Sequence, residues 1–118
     1  MAIVAPSILS ADFAHLARDC KKVTDAGALY LHIDVMDGAF VPNITLGQCV
    51  VKSLRAASKA VFDVHLMIEA PERYIDGFAK AGADIITVHT ESTQDIQKCI
   101  DMIKAHGIRA ALTVKPGT

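Results

Sequence analysis

The chain has 118 residues, the length of one domain, and its 52% hydrophobic and 21% charged residues are typical of a globular rather than a disordered protein. A formal net charge of −1 provides no electrostatic footprint for nucleic acid, and the apolar runs are too short to suggest a membrane span. Three widely spaced cysteines without a Cys-x-x-Cys pair, and no basic signal-peptide region, predict free thiols and a cytoplasmic location.

Hydrophobic periodicity predicts strands and helices that alternate regularly along the chain. The predicted strands cover residues 3–9, 29–38, 60–67, 84–89 and 108–114. The predicted helices run from a cap at Ser10 or Asp12 to Gly27, over 46–57, from Pro71 to Gly82, and from a cap at Ser92 or Thr93 to Gly107. Four strand–helix units and a fifth strand indicate a parallel sheet in a single domain over 1–118.

Two of these strands share a polar pattern. Alternation places His32, Asp34 and Met36 on one face of the first, and Asp63, His65 and Met67 on one face of the second. Apolar residues occupy the other face of both strands. Because a buried carboxylate without a partner is strongly unfavourable, Asp34 requires a compensating group.

The polar faces favour a barrel over a doubly wound sheet. In a barrel one face of every strand points into the lumen, and the site lies at the C-terminal ends of the strands, where His32, Asp34 and His65 are found. No Gly-x-Gly-x-x-Gly or P-loop follows a strand, as nucleotide-binding folds would require. A barrel of this type takes about eight units and roughly 250 residues, so we expect about half a TIM-type (β/α)8 barrel.

Two imidazoles and a carboxylate that converge from neighbouring strands predict a site for one divalent metal ion, with zinc, iron, manganese and cobalt all acceptable. The metal would also compensate the charge of Asp34. The alternative is that His32 and His65 are hydrogen-bonded core residues. Asp63 lies one step before His65 on the same face and is expected to orient a ligand from behind.

Four other polar residues are predicted to lie at a turn, on helix surfaces or along a strand. Asp37 has the opposite parity and sits at a turn, which favours a capping role. His15 and His106 are predicted on helix surfaces. His89 faces the same way as Thr87 and is a candidate for lining the site.

Five segments of the chain resemble the ribulose-phosphate 3-epimerase family, whose members are (β/α)8 barrel enzymes. They are APSILSADF at 5–13, LHIDVMDG at 31–38, FVPNIT at 40–45, DVHLM at 63–67 and KPGT at 115–118. The resemblance implies metal-dependent inversion at C3 of ribulose 5-phosphate, through an enediolate, to give xylulose 5-phosphate in the pentose phosphate pathway. By the same resemblance, His32, Asp34 and His65 match metal ligands, Asp34 a catalytic carboxylate, and Ser7, His65, Met36 and Met67 substrate contacts.

The family's second catalytic Asp and its phosphate-binding glycines come from later strands, beyond the length of this chain. We therefore expect the 118-residue chain to be an incomplete epimerase on its own. Because five strands cannot close a barrel, we expect its unpaired edges to recruit other strands, so that the chain forms a homo-oligomer, pairs with a complementary half or leaves its fifth strand disordered. Two other functions stay open, a non-catalytic metal-binding half-barrel and a related sugar-phosphate decarboxylase or synthase. Those enzymes carry Asp-x-Lys on the corresponding strand, whereas this chain has Asp63-Val64-His65.

Overall fold

A computed structural model describes residues 2–118 and contains a sheet of parallel strands in the order β1-β2-β3-β4. The strands are β1 (Tyr30–Met36), β2 (Val61–Met67), β3 (Ile85–His89) and β4 (Arg109–Thr113). The helices are α1 (Leu16–Asp25), α2 (Gln48–Ala57), α3 (Ile75–Ala81) and α4 (Ile96–Ala105). No helix in the described part of the chain is both long and apolar enough to cross a lipid bilayer.

The strand predicted over 3–9 is wrong. Ser7 makes only an isolated parallel bridge to His32, and the chain then enters a 3₁₀ turn over Ile8–Ser10. Pro6 has no backbone N–H to donate, although its carbonyl accepts from the His32 N–H at 2.9 Å. The segment therefore runs beside β1 without extending the ladder, and the other four predicted strands form the sheet.

Two predicted helices begin later than the sequence indicates, because each is preceded by a 3₁₀ turn. Asp12 does cap, accepting from the Ala14 N–H at 3.0 Å, but it caps the turn Phe13–His15 that leads into α1. Pro71 likewise opens a 3₁₀ turn, Pro71–Arg73, and α3 starts after it. The fixed φ of proline suits the first residue of either type of turn.

The cap predicted for α4 is also wrong. Asp95, rather than Ser92 or Thr93, accepts from the Lys98 N–H at 3.0 Å. The hydroxyl of Ser92 donates to the His89 carbonyl instead, at 2.9 Å, and Thr93 Oγ1 accepts from the Asp95 N–H at 3.2 Å. Both hydroxyls stabilise the connection that precedes the helix.

One face of the sheet is covered by the helices. Its side chains alternate with the polar ones and are 0–3% exposed: Leu31, Ile33, Val35, Phe62, Val64, Leu66, Ile86 and Val88. Every helix adds buried residues to the same cluster, with Cys20 from α1, Val51 from α2, Phe78 from α3 and Ile103 from α4. Helices on one face only exclude the doubly wound alternative and give an α/β half-barrel.

Arg55, near the end of α2, connects the turns beneath the N-terminal ends of β2 and β3. Its guanidinium donates to four acceptors, the carbonyl oxygens of Ser58, Ala60 and Gly82 and the carboxylate of Asp84. It also lies 3.8 Å from the centroid of the Phe62 ring. Gly82 has φ +124° and passes so close that a Cβ there would lie 2.4 Å from Arg55 Cδ.

The face without helices is concave and open. On it, Arg109 Nη2 of β4 donates to the Tyr30 hydroxyl of β1 at 3.1 Å, although two strands lie between them. This contact draws the outer strands together in the sense of a barrel. The polar side chains predicted from strand parity all point to this face.

Candidate active site

Ser7, His32, Asp34 and His65 converge on the concave face. The parallel register sets Asp34 beside His65 and His32 beside Asp63. The Asp34 carboxylate is central, because its Oδ1 lies 2.9 Å from His32 Nε2 and 3.3 Å from His65 Nδ1, while its Oδ2 accepts from Ser7 Oγ at 2.8 Å. One ligand atom each from His32, Asp34 and His65 lies within 4.8 Å of the others, as strand parity predicts.

The pKa values of two residues in this cluster lie far from their usual ranges. Hydrogen bonds first to Asp34 and then to Asp63 raise the pKa of His32 to about 10. Burial acts to raise the pKa of Asp34, but hydrogen bonds from His32, His65 and Ser7 outweigh it and hold that pKa well below its usual range. Asp34 is therefore an anion at neutral pH, and the His32 imidazolium compensates its charge.

Asp63 lies behind His32, where the sequence predicts an orienting carboxylate. Its Oδ2 is 2.9 Å from His32 Nδ1, so the imidazole is held between Asp63 on one nitrogen and Asp34 on the other. This is the carboxylate–histidine arrangement that commonly fixes the ring orientation of a metal ligand.

Met36 and Met67 end their strands side by side on the same face, both half-buried. The loop that follows β1 is fastened next to them. Thr45 Oγ1 donates to the Asp34 carbonyl at 2.7 Å and accepts from the Met36 N–H at 3.0 Å. The two thioethers thus form an apolar rim beside the polar cluster.

The capping role predicted for Asp37 is confirmed. Its carboxylate accepts from the backbone N–H groups of Ala39, Phe40 and Glu69, each at 2.9 Å, and so ties the turn after β1 to the turn after β2. His15 and His106 are exposed, as predicted for helix-surface residues, and lie against Asp12 and Asp76 respectively. These three residues take no part in the cluster.

His89 belongs to the site more closely than its sequence signal suggests. Its ring is 7% exposed and stacks on His65 with 4.9 Å between centroids, and the two Nε2 atoms are 2.8 Å apart. Burial, followed by the nearby His65, lowers the pKa of His89. In the register of β2 against β3, His65 lies beside Thr87, and His89 is the next residue along β3 on the same face. That register is the signal that could have placed His89 next to the cluster.

Glu91, to which the sequence gives no role, stands on the far side of His89. Its Oε1 is 3.4 Å from His89 Nδ1, and its Oε2 accepts from the Lys115 N–H at 2.6 Å and from the Thr118 hydroxyl. The hydrogen bond from Thr118 and the backbone N–H of Lys115 lower the pKa of Glu91 to about 2. Glu91 is therefore a fixed anion.

The donor set of His32, Asp34 and His65 fits a divalent metal ion. Two imidazoles and a carboxylate are ligands that zinc, iron, manganese and cobalt accept. Three protein ligands leave coordination positions free for a substrate, and the open concave face gives access to them. The anion at Asp34 and the orienting carboxylate at Asp63 are both features of metal sites.

Comparison with known proteins points to one family. The family model described as "Ribulose-phosphate 3 epimerase family" matches residues 3–118. The ribulose-phosphate 3-epimerase of Bacillus subtilis is 53% identical over 115 residues, covering 98% of this chain and 53% of its own length. The enzymes of that name from Candida glabrata and Synechocystis are 50% and 49% identical, each covering 98% of this chain.

The chain spans about half the length of the curated relatives it matches, between 51% and 54% for these three. Their match takes in both polar strands and the helices that support them, in agreement with half of a TIM barrel. A match that extends through nearly the whole sequence assigns the chain to the ribulose-phosphate 3-epimerase family.

Proposed function

We propose that this chain provides the metal-binding part of an enzyme that inverts C3 of ribulose 5-phosphate to give xylulose 5-phosphate. The observation that carries the proposal is the Asp34 carboxylate, held between His32 and His65 at the C-terminal ends of β1 and β2. Relatives about half identical to this chain are named ribulose-phosphate 3-epimerase, which supports the substrate. The position of the cluster is the one that barrel enzymes use for chemistry.

Asp34 is proposed as the base that removes the proton from C3. A proton next to a ketone carbonyl is weakly acidic, and a base must be ionised before it can accept that proton. Asp34 meets this condition at neutral pH, and Ser7 Oγ holds its Oδ2 in place. Inversion requires a second acid–base group on the opposite face of the carbon, which the family resemblance assigns to a later strand of the longer relatives.

A divalent ion held by His32, Asp34 and His65 would stabilise the negative charge that develops on the substrate oxygens as the proton leaves. Met36 and Met67 are proposed to flank the reacting carbons with apolar surface. Ser7 and His65 are proposed as substrate contacts, since both touch the Asp34 carboxylate, the proposed base. Together these groups orient the sugar and limit the access of water.

Metal analysis of the full-length protein, purified without chelator, tests the metal site. We expect about one divalent ion per chain, and its loss from a His32→Ala/His65→Ala variant. A His15→Ala/His106→Ala variant is the matched control, because it also removes two histidines but from helix surfaces. Equal metal content in the wild type and the site variant would contradict the proposal.

A coupled assay for xylulose 5-phosphate on the same preparations tests the activity. Turnover that follows metal content supports the epimerase. Bound metal with no turnover in the full-length protein would favour a non-catalytic metal-binding barrel instead. The decarboxylase or synthase alternative predicts release of a one-carbon product or formation of a carbon–carbon bond, which product analysis distinguishes.

We also propose that the protein is cytoplasmic and self-associates. The free thiols of Cys20, Cys49 and Cys99 suit a reducing compartment, and a rice relative is named as a cytoplasmic isoform. Leu112 and Val114, on and beside the edge strand β4, are 48% and 51% exposed and offer apolar surface for a contact. Light scattering tests this part, and a monodisperse monomer would contradict it.

A further inference from the structure

The contact between His65 and His89 constrains where protons can lie in both rings. His65 directs Nδ1 to Asp34 and Nε2 to His89, and the 2.8 Å between the two Nε2 atoms requires one proton between them. His89 in turn directs its Nδ1 to Glu91. The three residues form a line from the candidate metal ligands to a fixed carboxylate.

Two proton arrangements are available to neutral rings. If His65 carried its proton on Nδ1, His89 would donate from Nε2 and leave a buried lone pair on Nδ1, facing the Glu91 carboxylate at 3.4 Å. The His89 Nδ1 lone pair and the Glu91 carboxylate would then be two acceptors facing each other, which is unfavourable. In the other arrangement His89 carries its proton on Nδ1, towards Glu91, and His65 carries its proton on Nε2, which His89 accepts.

The second arrangement leaves the Nδ1 lone pair of His65 exposed to the Asp34 carboxylate, 3.3 Å away. A lone pair and an anion at that distance are favourable only with a cation beside them, and His32 Nε2 completes the same group of donors. The proton order set by Glu91 is thus the order that a metal ligand requires. It matches the arrangement on the other side, where Asp63 holds His32 directly.

We infer that His89 and Glu91 act as positioning residues, a relay that keeps His65 in the tautomer whose Nδ1 is free to bind the metal. This inference rests on the metal site of the proposed function. A carboxylate that acts on a metal ligand through a second imidazole extends the usual pattern of a carboxylate that contacts the ligand directly.

The end of the described chain holds this relay in place. Glu91 accepts from the backbone N–H of Lys115 and from the hydroxyl of Thr118. The Lys115 ammonium donates to the Phe40 carbonyl at 3.0 Å and lies 3.8 Å from the centroid of the Phe40 ring, which packs on His89 at 5.1 Å. The His89 ring therefore contacts both Phe40 and His65.

Nitrogen NMR and zinc titration of the full-length protein test the relay. In the zinc-loaded protein we expect a long-range 15N–1H spectrum to show the proton of His89 on Nδ1 and a bare Nε2. His89→Leu removes the acceptor for His65 and should weaken zinc binding by about 10- to 100-fold, the range for groups that support a metal ligand. His89→Gln restores an acceptor and should bind zinc within about threefold of the wild type, and Glu91→Gln should give a loss between the two.

His106→Leu is the matched control, because it removes an imidazole that contacts a carboxylate, Asp76, away from the site. A His89 proton on Nε2 in the zinc-loaded protein, unchanged zinc affinity in His89→Leu, or an equal loss in His106→Leu would each overturn the relay. If His89→Leu fails to fold, Glu91→Gln still decides it, because that variant keeps the His89 ring for the nitrogen spectrum and is expected to bind zinc more weakly than the wild type. Failure of the wild type to bind zinc would overturn the proposed metal site, whereas zinc binding with the His89 proton on Nε2 would overturn the relay alone.

Discussion

The two faces of the sheet perform different tasks, although they alternate residue by residue along the same strands. Leu66 is fully buried among the helices, whereas His65, its neighbour in sequence, faces the concave side with its side chain 20% exposed. The same contrast separates Ile33 from His32 and Asp34. Because a shift of one residue would exchange the faces completely, the register that protects the core also positions the chemistry.

Of the variants considered, Asp34→Asn, on the polar face, should have the largest effect, a loss of turnover. It keeps the shape of the side chain and removes the base, so turnover in the full-length protein should fall by at least about 100-fold, the low end of general acid–base contributions. Zinc occupancy is measured alongside, since part of the loss arises from weaker metal binding. Asp25→Asn on α1 is the control, and a metal-loaded Asp34→Asn enzyme with normal turnover would remove Asp34 from the mechanism.

Leu66→Ala disrupts the packing of the buried face, which the helices cover. Removing a fully buried leucine leaves a cavity beneath β2 and should lower the free energy of unfolding by about 2–5 kcal/mol, measured by urea denaturation. Zinc affinity of the folded protein should change little, because the side chain points away from the cluster. A loss below about 1 kcal/mol would show that the two faces are less distinct than their burial indicates.

Asp63→Asn tests whether this carboxylate on the concave face orients His32 for metal binding. The amide is a weaker acceptor for His32 Nδ1 than the carboxylate 2.9 Å from it, so zinc affinity should fall by about 10- to 100-fold in calorimetric titration. The surface substitution Asp101→Asn on α4 serves as its control. Zinc binding that is equal in both variants would mean that His32 needs no orienting partner.

Asp95→Ala has the smallest expected effect and concerns the helical layer alone. Loss of the bond to the Lys98 N–H should lower the free energy of unfolding by about 1 kcal/mol, with no change in zinc binding. Asp95→Asn keeps an acceptor and should be close to the wild type in a thermal melt. A destabilisation of the same size in both variants would refute the capping role.

Strand parity was sufficient to predict the parts of the site that lie on β1 and β2. His32, Asp34, Asp63 and His65 repeat with a period of two on adjacent parallel strands, so their side chains had to share a face. Two of the five segments that carry the family resemblance contain these residues. Their catalytic and substrate-binding roles stay predictions until the variants are measured.

Other features depend on contacts that periodicity does not encode. Residues 3–9 look like a strand because they are apolar, but Pro6 cannot donate and the chain leaves the ladder at Ser7. The partner of His65 is fixed by the register of β2 against β3, a tertiary property that places His89 against it. A hydroxyl at Ser92 resembles a helix cap until its bond to the His89 carbonyl is seen.

Because of Arg55, the N-terminal ends of β2 and β3 are expected to open together rather than one at a time. By joining the turn after α2 to the turn after α3, it prevents the second and third strands from opening separately at their N-terminal ends. Backbone amides near Ala60 and Asp84 should therefore exchange with solvent deuterium together, in one slow unit. The loops at the opposite ends of the strands are joined instead by Asp37 and Lys115, so a loss of Arg55 should speed exchange at the base of the sheet and leave the ends that hold the site unchanged.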